Sequence, residues 1–375
     1  MRTPVCDLLG IEFPIVAFSH CRDVVAAVSK AGGLGVLGAV AHTPERLDSE
    51  LDWIEGEIGD KPYGVDVLVP AKYVGMEAGG LGPQDLEALI PDEHRQFVEE
   101  MLERYGVPPL PDGEHVAAGT GLLSWSHKGA QPLIDVTFAH RARLIANALG
   151  PAPEYMVEQA HANDVVVAGL VGKAMHAERQ RNAGVDIVVA QGGEAGGHTG
   201  EIGTMVLVPE VVDAVAPMPV LAAGGIATGR QIAAAMALGA QGVWTGSVWL
   251  TTEEAETHPV VKEKFLAATS ADTVRSRAST GKPARQLRSA WTDEWEDPDH
   301  PDPLPMPLHG MLVAEAQGRM ARSAGSNEGA RKLVNYFVGQ AVGQMNQVKP
   351  ARQVLLDMVD EFIDAAQHVC GLLEQ

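Results

Sequence analysis

The amino-acid sequence predicts an α/β fold: a (β/α)8 TIM barrel with an insertion after its third strand and a mostly helical C-terminal region. Between residues 13 and 250, short β-branched runs alternate with helical segments, as in βαβ units stacked around a parallel sheet. Eight runs have strand character, at 14–19, 34–39, 64–69, 144–148, 165–170, 185–190, 219–223 and 242–248. Eight strands over about 240 residues favour a closed barrel, since open doubly wound sheets more often have five or six.

Capping residues delimit the helices between these strands. Thr228 is a predicted N-cap, and Gly239 is suited to the left-handed position that ends the same helix. In the first helix of the barrel, Asp23 precedes a run of valines, and the pair Gly32 and Gly33 stops the helix before the second strand. The pattern therefore repeats from unit to unit.

A G-x-G-x-x-G sequence at 33–38 matches the dinucleotide-binding motif only in its letters. That motif requires a strand before it and a helix that opens on its last glycine. Here a helix precedes and a strand follows. We interpret these glycines as a helix stop that leads into the second strand.

Two regions interrupt the alternation. An insertion at 71–131 contains a helical stretch from His94 to Tyr105 and the sequence SWSHKG at 124–129. Long insertions after a strand lie at the catalytic face of a barrel, so this one is either a lid over the site or a packed surface excursion.

The chain after residue 250 is predicted to be mostly helical. We expect a barrel over 1–250 and a mostly helical region over 251–375. An acidic, proline-rich connector at 291–305 divides this helical region in two. The last segment, 354–373, has apolar residues at helical spacing, which predicts a helix packed on the barrel.

Composition limits the class of partner. The 375 residues are 46% hydrophobic, and 28 basic against 49 acidic residues give a net charge of −21. Such a charge disfavours nucleic acid and anionic membranes, so we expect a small-molecule partner. Cys6, Cys21 and Cys370 have neither a metal-ligand spacing nor an even count for disulfides. With no signal-like N-terminus and no membrane-length apolar run, we expect a cytoplasmic protein without a metal.

The loop after the sixth predicted strand is the strongest candidate for chemistry. The segment from Gln191 to Gly200 contains five glycines, one carboxylate and the imidazole of His198. Glycines let a backbone approach a flat ligand closely and adopt positive φ. His198 has small neighbours and follows a strand's carboxyl end, where barrel enzymes hold their catalytic groups. The alternative is an exposed loop histidine without a chemical role.

The turns after the last two strands form a candidate phosphate site. Gly224 and Gly225 end the seventh strand before a helix, and Thr245, Gly246 and Ser247 end the eighth. Barrels commonly bind a ligand phosphate there through backbone N–H groups and a helix N-terminus. Ordinary turn glycines are the alternative.

Three of these segments together resemble the nitronate monooxygenases, which are FMN-dependent barrels. They are QGGEAGGHTG at 191–200, PVLAAGGIATG at 219–229 and GVWTGS at 242–247. The resemblance extends to VVAAVSKAGGLGVLGA at 24–39 and STGKPAR at 279–285, and thus to nearly the whole chain outside the insertion.

The resemblance implies a role for each matching residue. His198 matches the family's catalytic histidine, which lies over the flavin. The resemblance also implies a set of FMN-binding residues, with the phosphate bound by the glycine turns after the last two strands: Ala17, Phe18, Asp66, Gln191, Gly192, Gly196, Gly197, Gly224, Gly225, Thr245, Gly246 and Ser247.

Some positions depart from the family pattern. Ala17, Phe18, Ser19 and His20 replace an A-P-M-type turn, and Asp66 stands where the family usually has Asn. An aspartate offers a donor to a flavin carbonyl only when it is protonated.

Two further residues follow predicted strands, and each has an alternative structural role. His20 either assists substrate binding or caps the first helix. Lys173 either places positive charge near the flavin or a phosphate, or is a solvated residue at the start of a helix.

The function that the resemblance implies is FMN-dependent oxidation of alkyl nitronates with molecular oxygen. An alternative on the same scaffold is an NAD(P)H-dependent reductase of quinones or enoyl thioesters. Two more distant alternatives are a flavin-free barrel that acts on phosphorylated metabolites and a binding protein without catalysis.

Overall fold

The computed structural model describes residues 1–71, 74, 81–111 and 127–373. Eight parallel strands form a closed barrel in the order β1-β2-β3-β4-β5-β6-β8-β9, while β7 lies outside it. The strands are β1 (Ile15–Ser19), β2 (Leu34–Gly38), β3 (Tyr63–Leu68), β4 (Leu144–Ala148), β5 (Val166–Val171), β6 (Ile187–Gln191), β7 (Gly197–His198), β8 (Val220–Ala223) and β9 (Gly242–Thr245). Each barrel strand overlaps one of the eight predicted ranges, which confirms the predicted fold.

Alternation along each strand separates two apolar layers. On β1, Val16 belongs to the cluster that fills the barrel interior, whereas Ile15 and Ala17 belong to the larger cluster between the strands and the surrounding helices. This follows from the two-residue period of a strand, whose successive side chains point to opposite faces. The same alternation decides which residues can reach a ligand at the barrel mouth.

The helices surround the barrel and form most of the C-terminal region. They are α1 (Pro4–Leu9), α2 (Arg22–Lys30), α3 (Pro44–Ile58), α4 (Pro83–Glu87), α5 (Asp92–Arg104), α6 (His127–Ala139), α7 (Glu154–Ala162), α8 (Ala174–Asn182), α9 (Thr204–Val215), α10 (Gly229–Ala237), α11 (Pro259–Ala267), α12 (Ala290–Glu296), α13 (Leu308–Ser323), α14 (Glu328–Leu333) and α15 (Ala351–Gly371). Within the part of the chain that the structure describes, none of them is long and apolar enough to cross a bilayer.

Helix α1 closes the amino end of the barrel. Val5, Cys6 and Leu9 are buried in the interior cluster. Arg143, the residue before β4, donates to the carbonyl oxygen of Leu8 at 2.7 Å. With this end closed, the carboxyl end of the barrel remains for a ligand.

The helix ends follow the predicted caps. Thr228 is the N-cap of α10, and its backbone N–H donates to the Gln231 side chain at 3.0 Å. Gly239 has φ +99°, and Gly32, just after α2, has φ +98°. Both glycines adopt the left-handed conformation that ends a helix, as predicted.

The G-x-G-x-x-G segment is β2 itself, preceded by α2 and followed by a short 3-10 turn, Ala39–Ala41. A Cβ on Gly35 would lie 2.2 Å from the carbonyl oxygen of Val25. Glycine is therefore required at this position for the close approach of α2 to β2, and the dinucleotide interpretation is correctly excluded.

The described part of the insertion packs on the C-terminal region. The predicted helical stretch is α5, whose buried face of Phe97, Val98, Met101 and Leu102 joins the apolar cluster of the C-terminal helices. The SWSHKG segment lies outside the described residues as far as position 126, and α6 begins at His127.

The C-terminal region contains two strands in addition to its helices. Strands β10 (Thr273–Ser276) and β11 (Ala284–Leu287) pair antiparallel, and β11 also pairs with β7. The predicted connector begins as helix α12, because Trp291 and Trp295 lie on one helical face and are buried. Helix α15 packs on α10 and α2, with Leu355 and Met358 buried in the outer barrel core.

The close packing of α2 on β2 generates a stability prediction. We expect Gly35→Ala to destabilise the protein by about 1–3 kcal/mol, because the added Cβ meets rigid backbone. Gly56→Ala is the matched control: its Cβ has open space inside α3, so the change stabilises by about 0.5–1 kcal/mol. Urea unfolding midpoints measure both. Equal midpoints for the two variants would contradict the assignment.

Candidate active site

A cavity of about 680 Å³ opens at the carboxyl ends of the barrel strands. Turns after β1, β3, β4, β5, β6, β8 and β9 contribute to its wall, and residues 275–283 and 336–341 of the C-terminal region cover one side. The volume lies within the range of about 300–1,000 Å³ that is usual for small-molecule sites. The position is also where barrel enzymes carry out their chemistry.

Most of the sequence-predicted site residues meet in this cavity. The ones that line it are Phe18, His20, Asp66, Lys173, Gln191, Gly196, Gly197, His198, Gly224, Gly225, Thr245, Gly246 and Ser247. Ala17 and Gly192 do not line it.

Local geometry accounts for the two residues that miss the cavity. Ala17 lies on the outer face of β1, fully buried among helix-facing side chains, while the next residue, Phe18, faces inward. Gly192 donates its N–H to the Ala223 carbonyl at 2.9 Å, and a Cβ on it would lie 2.1 Å from Thr204 Oγ1. Gly192 is a packing glycine behind the cavity wall.

The loop that carries His198 is fixed at both ends. Gly193 N–H donates to the Ile202 carbonyl at 2.7 Å, which closes the loop on itself. The carboxylate of Glu194 accepts hydrogen bonds from the backbone N–H and the hydroxyl of Thr204, both at 2.9 Å. Glu194 therefore stabilises the N-terminus of α9, and the carboxylate of this glycine-rich loop has a structural role.

The C-terminal region holds His198 in place. His198 and Gly197 form β7, which pairs antiparallel with Ala284 and Arg285 of β11. Arg285 Nε also donates to the Gly193 carbonyl at 2.8 Å. The His198 loop of the barrel is thus ordered by a segment about 90 residues later in the chain. Sequence reasoning missed this pairing, and its one signal was the STGKPAR segment.

The imidazole of His198 is neutral at neutral pH. Burial, followed by the positive charge of Lys282, lowers its pKa to about 4. Its Nε2 lies 2.8 Å from Thr280 Oγ1, and the ring is 6.2 Å from that of Phe337. A neutral, oriented imidazole can accept a proton or a hydrogen bond from a ligand.

Lys282 adds a positive charge beside this imidazole. It lines the cavity, and burial lowers the pKa of its ammonium group. Within the described residues, no carboxylate lies within 4 Å of it. Arg275, by contrast, contacts Glu201 at 3.3 Å and donates to the Thr199 carbonyl at 3.2 Å. Lys282 therefore has charge available for an anionic ligand, and the sequence analysis did not single it out.

Asp66 lies on the inner face of β3 and points to the same cavity. Its side chain is buried, and burial raises the pKa of the carboxyl to about 8. It makes no hydrogen bond with any residue that the structure describes. Asp66 is therefore mostly protonated at neutral pH, and its O–H is the donor that the sequence analysis required of it.

The candidate phosphate turns depend on glycine for their backbone conformation and packing. Gly224 and Gly225 have φ +102° and +72°, which glycine adopts without strain. A Cβ on Gly246 would meet only the Phe18 ring, at 3.8 Å, so this turn borders open space. Ser247 Oγ accepts from the Gly339 N–H at 2.8 Å, which leaves its own O–H free to donate.

Thr245, unlike Ser247, uses its hydroxyl for hydrogen bonds within the barrel. Its hydroxyl donates to the Val16 carbonyl at 3.0 Å and accepts from Trp249 Nε1 at 3.0 Å. Since a hydroxyl has one proton, the side chain fixes β9 against β1 and has no donor left for a ligand.

His20 and Lys173 both border the cavity. His20 Nδ1 lies 3.2 Å from the Gly38 carbonyl, and burial lowers the pKa of the ring. The prediction that His20 caps α2 is wrong, because Cys21 is the N-cap residue and carries no side-chain cap bond. Lys173 occupies the N-cap position of α8 and is exposed.

Comparison with known proteins places this chain among oxidoreductases. The sequence model of the nitronate monooxygenase family matches residues 2–361. A Mycobacterium tuberculosis protein named as a monooxygenase is 65% identical over 376 residues, which cover 100% of both chains. A Staphylococcus haemolyticus protein named as a nitronate monooxygenase is 29% identical over 89% of each chain.

Two solved structures share the architecture. Nitroalkane oxidase from Streptomyces ansochromogenes superposes with a TM-score of 0.79 at 25% identity, covering 97% of this chain and 99% of its own. FabK from Thermotoga maritima has a TM-score of 0.73 at 29% identity, with 99% of both chains covered.

The buried carboxyl of Asp66 generates a pH prediction. Its folded-state pKa is raised from 3.8 to about 8, so the folded chain binds one proton more than the unfolded chain between these values. Stability is therefore lost as pH rises through this window, by about 1.4 kcal/mol per pH unit, and Asp66→Asn removes the loss.

Urea unfolding of the wild type and Asp66→Asn at several pH values between about 5 and 9 measures the difference. We expect the difference in unfolding free energy to grow with pH and to level off above about pH 8. Asp360→Asn, the same substitution at an exposed aspartate on α15, is the control. Parallel wild-type and Asp66→Asn profiles would show that Asp66 is ionised in the folded protein.

Proposed function

The chain belongs to the nitronate monooxygenase family, and from this membership and the chemistry of the cavity we propose that it is an FMN-dependent enzyme that oxidises alkyl nitronates with molecular oxygen. The enzyme class, an oxidoreductase, follows from the family. Flavin dependence is a property of that family. The choice of FMN, the substrate and the residue roles below are the proposal.

The residues present fit FMN at both ends of the molecule. The backbone N–H groups of Gly224, Gly225 and Gly246 and the free O–H of Ser247 would hold the phosphate, as glycine turns of barrels do. At the other side of the cavity, the protonated carboxyl of Asp66 would donate to a carbonyl of the flavin ring. When bound, the flavin accepts electrons from the substrate and passes them to oxygen.

One observation carries the proposal for an anionic substrate: the neutral imidazole of His198 and the ammonium group of Lys282 line the same cavity, close enough for the charge of Lys282 to lower the pKa of His198. The carboxyl on the described wall, Asp66, is mostly protonated at neutral pH. The wall is therefore positive inside a chain with a net charge of −21, which favours a small anion.

A nitronate is such an anion, with its negative charge on the oxygens of the nitro group. Lys282 would neutralise that charge, and His198 would orient the anion or accept a proton from it. The pairing of β7 with β11 fixes the imidazole before substrate arrives, so little reorganisation is needed. Phe337 and Phe18 supply apolar wall for an alkyl chain.

The role of His198 is tested by substitution. We expect His198→Ala to retain FMN and to lose nitronate turnover by about 10²–10⁴-fold, the usual contribution of a positioned acid–base group. Because the pKa of His198 is lowered to about 4, wild-type turnover should not change between about pH 6 and pH 8 through this group. His368→Ala, an exposed histidine on α15, is the control. Turnover of His198→Ala within twofold of wild type would exclude the role.

The phosphate turn is tested separately from turnover. We expect Gly246→Leu to weaken FMN binding by about tenfold or more, because its side chain occupies the open space beside Phe18. Gly325→Leu is the matched control, because a Cβ at Gly325 meets nothing within 4 Å and the residue lies away from the cavity. Flavin fluorescence titration gives both dissociation constants. Unchanged affinity in Gly246→Leu would place the phosphate elsewhere.

A further inference from the structure

A second cationic surface borders the cavity, apart from Lys282 and Arg275. Lys173, His176 and Arg179 follow β5 at intervals of three residues, so they lie along one side of the start of α8. All three line the cavity and are exposed. We call these three residues the β5 cationic face.

The charges of this face are not balanced by the protein. No carboxylate lies within 4 Å of Lys173 or Arg179 in the part of the chain that the structure describes. Elsewhere cations are often paired, as Arg104 is with Glu294 at 2.9 Å and Lys349 with Asp357 at 2.7 Å. Burial, then the charges of Arg179 and Lys173, lower the pKa of His176, which places the three groups within electrostatic reach of one another.

Like charges gathered at a cavity wall are unfavourable unless an anion neutralises them. The chain has 49 acidic residues against 28 basic ones, so a shortage of carboxylate side chains does not explain why Lys173 and Arg179 are unpaired within the described ranges. Arginine and lysine with a nearby histidine are the groups that bind phosphate esters, arginine through bidentate hydrogen bonds and lysine as a point charge.

The position of the face separates it from the proposed FMN phosphate site. In the barrel order, β6 lies between β5 and β8, so the face is on the other side of the His198 loop from the glycine turns after β8 and β9. A molecule that extends from His198 to the β5 cationic face is therefore expected to carry an anionic group of its own, separate from the FMN phosphate.

We propose that the β5 cationic face binds a phosphate monoester of an organic co-substrate whose other end lies beside His198. This proposal rests on the proposed function for the position of the flavin. It adds a second ligand to that site, larger than an alkyl nitronate and recognised by its phosphate. Two sources share this chemistry, a reduced nicotinamide nucleotide with a ribose phosphate and a thioester carried on coenzyme A.

Two pairs of probe molecules isolate the contribution of one phosphate group to the binding affinity. NADPH and NADH differ by one phosphate monoester, as do coenzyme A and dephospho-coenzyme A. Isothermal titration calorimetry on the FMN-loaded protein measures the affinity of each. We expect the phosphorylated member of one pair to bind about ten- to a hundredfold more tightly, the gain usual for hydrogen bonds to a charged group. The pair that shows the difference identifies the source.

Substitution then assigns the difference to the face. In a K173M/R179Q double variant, we expect the two members of that pair to bind within about twofold of each other. Arg230→Gln removes an exposed arginine from α10, outside the cavity wall, and should keep the wild-type preference. Raising the salt concentration should narrow the preference in the wild type, since exposed charges are screened.

Three results would overturn the proposal. One is equal affinity within both pairs for the wild type, and another is a preference that survives in the double variant. The third is loss of FMN by the double variant, which would assign the face to the cofactor's phosphate. Failure of the wild type to bind FMN or to oxidise nitronates contradicts the proposed function instead, so the two failures are distinguishable.

Discussion

The architecture of the site depends on one pairing, that of the two-residue strand β7 with β11. The barrel supplies the glycine-rich loop after β6, but a loop with so many glycines has no fixed conformation of its own. The two paired residues of β7 and the hydrogen bond from Arg285 to Gly193 fix this loop. The contact with Thr280 fixes the imidazole of His198. The C-terminal region is therefore part of the candidate active site as well as a cover for the barrel.

Burial sets the protonation states around this imidazole. The same loss of hydration lowers the pKa of His198 and raises that of Asp66, because in each case the charged form is disfavoured. Both groups are neutral near pH 7, and the charge of the wall then comes from lysine and arginine side chains. A wall of this kind binds anions and leaves the histidine free to exchange a hydrogen bond or a proton with them.

The barrel could be predicted from the sequence because its signals are local. Strand runs and caps such as Thr228 act within one βα unit, and each unit repeats the pattern. Strands β10 and β11 could not be predicted, since four-residue strands that carry polar and charged side chains have no apolar periodicity of their own and form by pairing with distant segments. In the site, His198 and the glycine turns were found from their position after strands. Ala17 was assigned to the cavity from the family pattern, although strand alternation turns it away. Lys282 was missed because its approach to His198 depends on tertiary packing.

A crystal structure of the protein with FMN and an alkyl nitronate would locate both ligands relative to His198. We expect the flavin phosphate at the turns of Gly224, Gly225 and Gly246, with the nitronate between the flavin ring and the imidazole of His198. The same electron density should show β7 still paired with β11. Flavin density at the amino end of the barrel, near α1, or an imidazole turned away from the bound ligands, would contradict the proposed function.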